Sequence, residues 1–387
     1  MEFPKITKLK PRTVVILGAG LGGLPLAHEL LKHTFAKVRQ RLKIILVFPN
    51  SHFYWNIAAV RGIIPGTIPD DQLFLPIEPG FAKYASEQFE FIQGKAEFMD
   101  VRQNKVTIAK NDGTSAILEY DQLIVATGSQ VHNNLPLKSI GTYGRTLDAL
   151  HSLQRKIEDS RYIVVAGSGP TGVEVAGELA SHYGTAKKIT LVVNGGSVLH
   201  FSKVLPEVSH SVEKSLMRLG VNLVHNTQVL NSHEDVAGKT ILTLSGQASI
   251  TADLYLPLFG TKVNTSFVPP RLLDPAGNLN LGRKMRVLGT DNVWGLGDVG
   301  NVEAKQWTVI DAQVAHLSMA LQLVLTGRSD QVKEYTPSAK KMMFISMGRR
   351  YATGQFGSWK LHRWIVSWAK GRSLFVGDAP AYVNGKQ

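Results

Sequence analysis

Short, wholly apolar runs alternate along this chain with stretches whose apolar positions recur at helical spacing. Residues 13–17 and 43–48 are continuous and rich in Val, Ile and Leu, the composition of strands buried on both faces. Residues 21–33 between them carry the helical repeat. That order predicts a strand, a helix and a second strand, parallel to the first through a right-handed crossover. Shorter strands are predicted at 89–94, 97–101 and 105–108, with a hairpin turn at Asn111, Asp112 and Gly113. An apolar strand within 120–129 ends in small residues. The pattern then restarts: a helix at 146–158, a strand at 162–166, a helix through 178–182 and a strand at 188–193. A helix at 206–219 and strands at 221–225, 239–245 and 252–259 follow. Residues 292–298 read as the closing strand of the first unit, and 305–325 as a long helix after it.

Two glycine turns stand at matching places in this pattern. Gly18, Gly20 and Gly23 (GAGLGG) follow the first strand; Gly167, Gly169 and Gly172 (GSGPTG) follow the strand at 162–166. Such glycines make the tight turn, let a pyrophosphate approach the backbone and let helix and strand pack closely. The helix N-terminus behind each turn offers unpaired N–H groups and partial positive charge to phosphates. The fold class expected is therefore α/β, with two Rossmann-like dinucleotide-binding domains. The first spans residues 1–148 and 260–330 and is interrupted by the second at 149–259. A small C-terminal domain covers 331–387.

Composition narrows the chemistry. The 387 residues include no cysteine, which excludes structural disulfides, thiolate zinc sites, cysteine-ligated clusters and thiol redox catalysis. With no thiol relay, any redox cofactor held here would pass its electrons directly to an external acceptor. The 12 histidines are scattered with no HxH or HExxH spacing, so no metal site is expected. No apolar stretch approaches the roughly 20 residues of a membrane span, and the basic N-terminus lacks a signal core. The formal charge of +13 favours phosphorylated ligands, anionic lipid or nucleic acid.

The ordered motifs GAGLGG, YDQLIVATGS (from Tyr120), GSGPTGVEVAGEL and VWGLGDVGN (from Val293) resemble the two-dinucleotide-binding-domain flavoproteins, the pyridine nucleotide-disulfide oxidoreductase superfamily. Within it the chain is similar to the branch of apoptosis-inducing-factor-like proteins, ferroptosis suppressor proteins and type II NADH dehydrogenases. The segment from Ser51 to Asn56, Arg61 beyond it and the tail from Lys370 to Val376 support the branch. The resemblance implies FAD on Gly18, Gly20 and Gly23, with Ala126, Thr127 and Gly128 against it, Asp298 on its ribityl chain, and Arg61 among the cofactor contacts. It implies NAD(P)H on Gly167, Gly169 and Gly172, with Glu174 near the nicotinamide and Glu178 one turn on. Lys305, at the expected start of a helix beside the flavin, would stabilise negative charge on the reduced ring. Gln306 and Trp307 would border the acceptor pocket.

The implied activity is hydride transfer from NAD(P)H to FAD and onward reduction of a quinone-like acceptor. An apoptosis-factor-like binding role, with phosphate-mediated nucleic-acid contact, and a tailoring oxidase of a small natural product are the alternatives. Two sites depart from the dinucleotide pattern. Phe48, Pro49 and Asn50 end the second strand where an acidic residue commonly binds ribose, leaving the adenosine end to main chain or to Asn50 and Ser51. Asn194 stands at the equivalent place in the second domain, with Lys203 within possible reach of a 2′-phosphate, so NADH and NADPH both remain open. In the tail, Leu361, Trp364, Ile365 and Trp368 recur at helical spacing, flanked by Lys360, Arg363, Lys370 and Arg372. Residues 359–372 are thus expected to form an amphipathic helix resting on an anionic membrane surface. Because the chain begins Met1, Glu2, N-terminal glycine acylation is not expected. A cytoplasmic protein peripheral to a membrane is the expectation, ahead of a mitochondrial one.

Overall fold

The computed structural model describes residues 11–38, 41–202, 204–338 and 342–386. Arg12–Leu17, Leu42–Phe48 and Phe89–Asp100 pair in parallel, from Arg12↔Leu42 and Ile44↔Phe89 onward. Gln122–Val125 lies parallel on the other side of the first strand, and Val293–Gly295 lies beside it. Lys105–Lys110 and Ser115–Glu119 extend the far edge to seven strands in one sheet. Val14, Val15, Ile16, Leu123, Ile124 and Val125 are all fully buried. That is why these strands read as unbroken apolar runs and not as alternating ones.

A second parallel sheet is inserted between Val125 and Val293. Its order is Asn222–Val224, Lys188–Val192, Tyr162–Ala166 and Leu254–Pro257. An antiparallel sheet of Val229–Glu234, Thr240–Leu244 and Ser249–Ala252 packs beside it. The chain leaves and returns along one ribbon, where Ser129–Val131 pairs antiparallel with Thr261–Val263.

Several expectations need correction. The two strands expected at 89–101 form one, Phe89–Asp100, with a bulge between Ala96 and Phe98. The long helix begins at Ile310, so Lys305 lies in the loop before it and not at a helix start. With its leading turn this helix, Trp307–Leu325, has the length and apolarity to cross a bilayer, contrary to expectation. Ile310, Val314, Leu317, Leu321 and Leu325 are nevertheless buried, as in a core helix, and its packing against Gly23–Glu29 accounts for its composition.

The tail also departs from expectation. Trp359–Leu361 is the third strand of an antiparallel sheet with Met342–Ser346 and Ala352–Phe356, because Gly357, at φ +59°, turns a hairpin before it. Only Arg363–Val366 is α-helical, continued by a π-type turn over Ser367–Gly371. The four expected apolar positions therefore do not share one helix. Val366 is buried, whereas Trp359, Trp364 and Trp368 are 77%, 71% and 68% exposed.

Candidate active site

Both glycine turns fold the same way, for steric reasons. Gly18 has φ +112°, and a Cβ there would stand 2.3 Å from the Ala126 carbonyl oxygen. Gly167, at φ +123°, repeats the contact at 2.2 Å from the Leu258 oxygen. A Cβ at Gly23 or Gly172 would meet the oxygen of Gly18 or Gly167 at 1.8 Å, so only glycine permits this closeness of helix to strand. At Gly20 and Gly169 an added Cβ meets nothing within 4 Å. Backbone is open there to an approaching phosphate, so both turns fit a dinucleotide.

The first turn opens on a cavity of about 1030 Å³. Gly18, Gly20, Gly22, Ala126, Thr127, Gly128, Asp298 and Lys305 line it from the first sheet's loops. Pro170, Thr171 and Glu174 line it from the helix Pro170–Tyr183, and Met342, Met343, Phe344 and Lys370 from the C-terminal unit. Small-molecule sites commonly occupy roughly 300–1,000 Å³, so this space is large enough for a dinucleotide with a second ring against it. Thr127 Oγ1 donates to the Asn264 carbonyl at 2.7 Å, and Asn264 Nδ2 returns a bond to the Thr127 oxygen at 2.9 Å. That reciprocal pair fixes the crossover loop. Near the end of Leu42–Phe48 the walls are Phe48, Pro49, Gly94, Lys95 and Ala96. Asn50 is buried instead, bonded to Ser139 and to the His52 N–H.

Asp298 sits in the turn Gly297–Val299 after the closing strand. Lys138 Nζ donates to its Oδ2 at 2.6 Å and Ser129 Oγ at 2.7 Å. Burial works against ionisation here, but Lys138 and Ser129 outweigh it and hold the carboxyl below the usual aspartate range. Lys305 donates to Asn278 Oδ1 at 2.6 Å. Burial lowers its pKa, with Asp298 opposing that shift and Lys138 reinforcing it.

Glu174 and Glu178 are one turn apart and both buried. Glu174 Oε1 accepts from Lys370 Nζ at 2.6 Å and from the Ser346 N–H at 2.9 Å. Glu178 receives a bidentate pair from Arg61, Nε at 2.8 Å and Nη2 at 2.9 Å. The structure therefore places Arg61 away from the cofactor cavity, against the expectation for it: its donors are taken by Glu178 and by the carbonyls of Gly371 and Arg372. Lys370, expected on a lipid-facing side, turns inward to Glu174. Gly23, Gly167, Gly169, Gly172 and Asn194 lie outside the cavity lining. Asn194 is exposed and accepts from Gln228 Nε2 at 2.9 Å. Lys203 is outside the described residues. Among those described, no cluster of His, Asp or Glu could hold a metal ion.

Sequence reasoning missed Lys138, Ser346, Asn264 and the role of Lys370. No motif surrounds the first three. Lys370 does open the tail motif that carries the family resemblance, a usable signal.

Fold and cavity together define an oxidoreductase with two dinucleotide sites. The sequence pattern of the pyridine nucleotide-disulphide oxidoreductases matches residues 12–316, and the chain belongs to that family. It is an FAD- and NAD(P)H-binding flavoprotein oxidoreductase. Oxidoreductase ptaL of Pestalotiopsis fici is 39% identical over 372 residues, covering 96% of this chain and 98% of that protein. Ferroptosis suppressor protein 1 of Homo sapiens is 27% identical over 381 residues, covering 95% and 94%. In fold, NDH2 from Plasmodium falciparum in complex with NADH matches with a TM-score of 0.78 at 15% identity, covering 96% and 98%. The sulfide:quinone oxidoreductase of Aquifex aeolicus matches at 0.74 and 19%, covering 97% and 92%.

Proposed function

We propose that this enzyme is an NAD(P)H:quinone oxidoreductase, with its FAD domain in residues 1–148 and 260–330 and its NAD(P)H domain in 149–259. Bound FAD supplies the two-electron carrier between the coenzyme's hydride and the acceptor. The observation that carries the reading is the single cavity shared by the first glycine turn, the flank of the second at Pro170, Thr171 and Glu174, and an apolar wall of Met342, Met343 and Phe344. An apolar wall beside the flavin loops suits a flat, weakly polar acceptor. The absence of cysteine leaves no internal thiol to receive electrons.

The protein's contribution is alignment and charge. Gly18, Gly20, Ala126, Thr127 and Gly128 cradle the FAD, and Gly23 lets the helix behind it close in. Asp298, ionised and oriented by Lys138, accepts from ribityl hydroxyls, since charge-assisted bonds are the stronger kind. Gly167, Gly169 and Gly172 hold the second pyrophosphate, and Asn194 meets the coenzyme ribose. Glu174, pinned by Lys370 and Ser346, orients the nicotinamide so that little encounter entropy remains. Lys305 offers positive charge to the reduced ring. Steady-state turnover with NAD(P)H and a soluble benzoquinone tests the reading. Turnover confined to oxygen would overturn the assigned acceptor.

A peripheral membrane contact through residues 359–372 belongs to the same proposal. Trp359, Trp364 and Trp368 are exposed beside Lys360, Arg363 and Arg372, and residues 342–377 contain no carboxylate. Indole at headgroup depth with cations beside it suits an anionic bilayer better than a nucleic acid, which would leave the apolar rings unused. The unit that carries the tryptophans also supplies Met342, Met343 and Phe344 to the cavity.

A further inference from the structure

Four charged side chains, Arg61, Glu174, Glu178 and Lys370, form a connected, buried set at one wall of the cavity, with Glu174 and Lys370 lining it and Arg61 and Glu178 behind. All are 7% exposed or less at their side chains in the ion pairs they make. The charges sum to zero, and Ser346 Oγ lies 3.3 Å from both carboxylates and links them. The set joins three parts of the chain that no sheet connects. Arg61 comes from the helix Ala59–Gly62 of the first unit, Glu174 and Glu178 from the helix Pro170–Tyr183 of the second, and Lys370 from the C-terminal turn.

We propose that Arg61 is a positioning residue for hydride transfer, setting both halves of the cavity-lining Glu174–Lys370 pair without touching either coenzyme. The inference rests on the role assigned to Glu174 above. Arg61 reaches that pair by two routes. Its bidentate bond to Glu178 fixes the helix one turn from Glu174. Its bonds to the Gly371 and Arg372 carbonyls, at 2.7 and 3.1 Å, fix the backbone immediately after Lys370. The guanidinium fork can satisfy a carboxylate and two carbonyls together; an ammonium has neither the reach nor the fixed geometry. Burial makes the arrangement stiff, because any departure strands a charge without water. Arg61 thus ties the helix that carries Glu174 and the backbone after Lys370 to the first unit, beside other contacts between the units such as Gln154 Nε2 to the Gly62 carbonyl.

The test is anaerobic stopped-flow reduction of the FAD-loaded enzyme by NADH, reading the rate at saturating coenzyme, the coenzyme Kd and the long-wavelength charge-transfer band of stacked rings. Arg61→Lys and Glu178→Gln keep side-chain volume. Both are expected to slow reduction about ten- to a hundredfold, the cost of an ångström-scale misplacement, and to weaken the band. FAD content is expected to be unchanged and Kd to stay within about threefold, because neither residue is assigned to binding. The double variant Arg61→Met/Glu178→Leu restores an apolar core without the fork and is expected to stay slow. Wild-type rates in Arg61→Lys, or recovery in the double variant, would overturn the inference. Glu174→Gln separates the two layers. If it reduces normally, the reading of Glu174 fails; if it is slow while Arg61→Lys is fast, only the role of Arg61 fails.

Discussion

Lys138 and Asp298, 160 residues apart in sequence, meet at 2.6 Å on the wall of the cavity, and Ser129 donates to the same carboxylate oxygen, Oδ2. The pair ties the crossover loop to the turn after the closing strand. It also keeps Asp298 ionised and aimed, so the ribityl contact proposed for it would be preorganised before FAD arrives. Asp298→Ala is expected to fold, to weaken FAD binding by about tenfold or more as one charge-assisted bond is lost, and to purify partly colourless. Absorbance at the flavin band per mole of protein checks this. Lys138→Met removes the orienting cation and is expected to weaken FAD binding less, since Asp298 itself remains.

With Asn194 at the coenzyme ribose, as proposed above, coenzyme preference turns on that residue. The end of the strand Lys188–Val192 leads into an uncharged side chain bonded to Gln228, where a carboxylate would repel a 2′-phosphate. NADH and NADPH are therefore expected to give kcat/KM values within about tenfold of each other, with no like-charge penalty on either. Asn194→Glu is expected to lower kcat/KM for NADPH by about tenfold or more while sparing NADH. Steady-state kinetics with both coenzymes decide it.

The surface of the C-terminal unit predicts lipid binding. Sedimentation with vesicles containing phosphatidylserine is expected to carry the protein down at low salt and less so at high salt. The triple change of Trp359, Trp364 and Trp368 to Ser is expected to abolish it without altering turnover of a soluble quinone. Equal binding to neutral vesicles would remove the role given to the cations.

Acid stability turns on His28. Its ring stacks on Phe81 at 4.0 Å, Nε2 donates to the Val383 carbonyl, and burial lowers its pKa from 6.5 to about 4. The folded state therefore binds the proton less readily than the unfolded chain. Stability from the neutral ring is full above pH 6.5 and falls as pH drops towards 4, a loss of about 3 kcal/mol across that window. His28→Gln keeps a donor for Val383 and is expected to flatten this part of the profile. Urea unfolding at pH 7 and pH 4.5 measures the difference.

What was legible in the sequence is what local chemistry dictates. The turns at Gly18 and Gly167 announce themselves because only glycine tolerates their φ and the carbonyl contacts behind them. The buried parallel strands announce themselves through unbroken runs of β-branched residues. The bonding of Arg61 could not be read from the sequence because its partners lie 117 and 310 residues away, and nothing local distinguishes a cofactor arginine from an interdomain one. Lys138 and Ser346 were missed for the same reason. The tail misled through its periodicity: Leu361 fits a helical stripe with Trp364, Ile365 and Trp368, but Gly357 turns the chain into a hairpin first, and sheet pairing then claims Leu361.

Anaerobic titration of the purified yellow protein with NADH bears most directly on the whole account. Stoichiometric, rapid bleaching of the flavin band, restored when a soluble quinone is added, is the result expected of two dinucleotides meeting across this cavity. A flavin that stays oxidised under excess NADH and NADPH alike would contradict it.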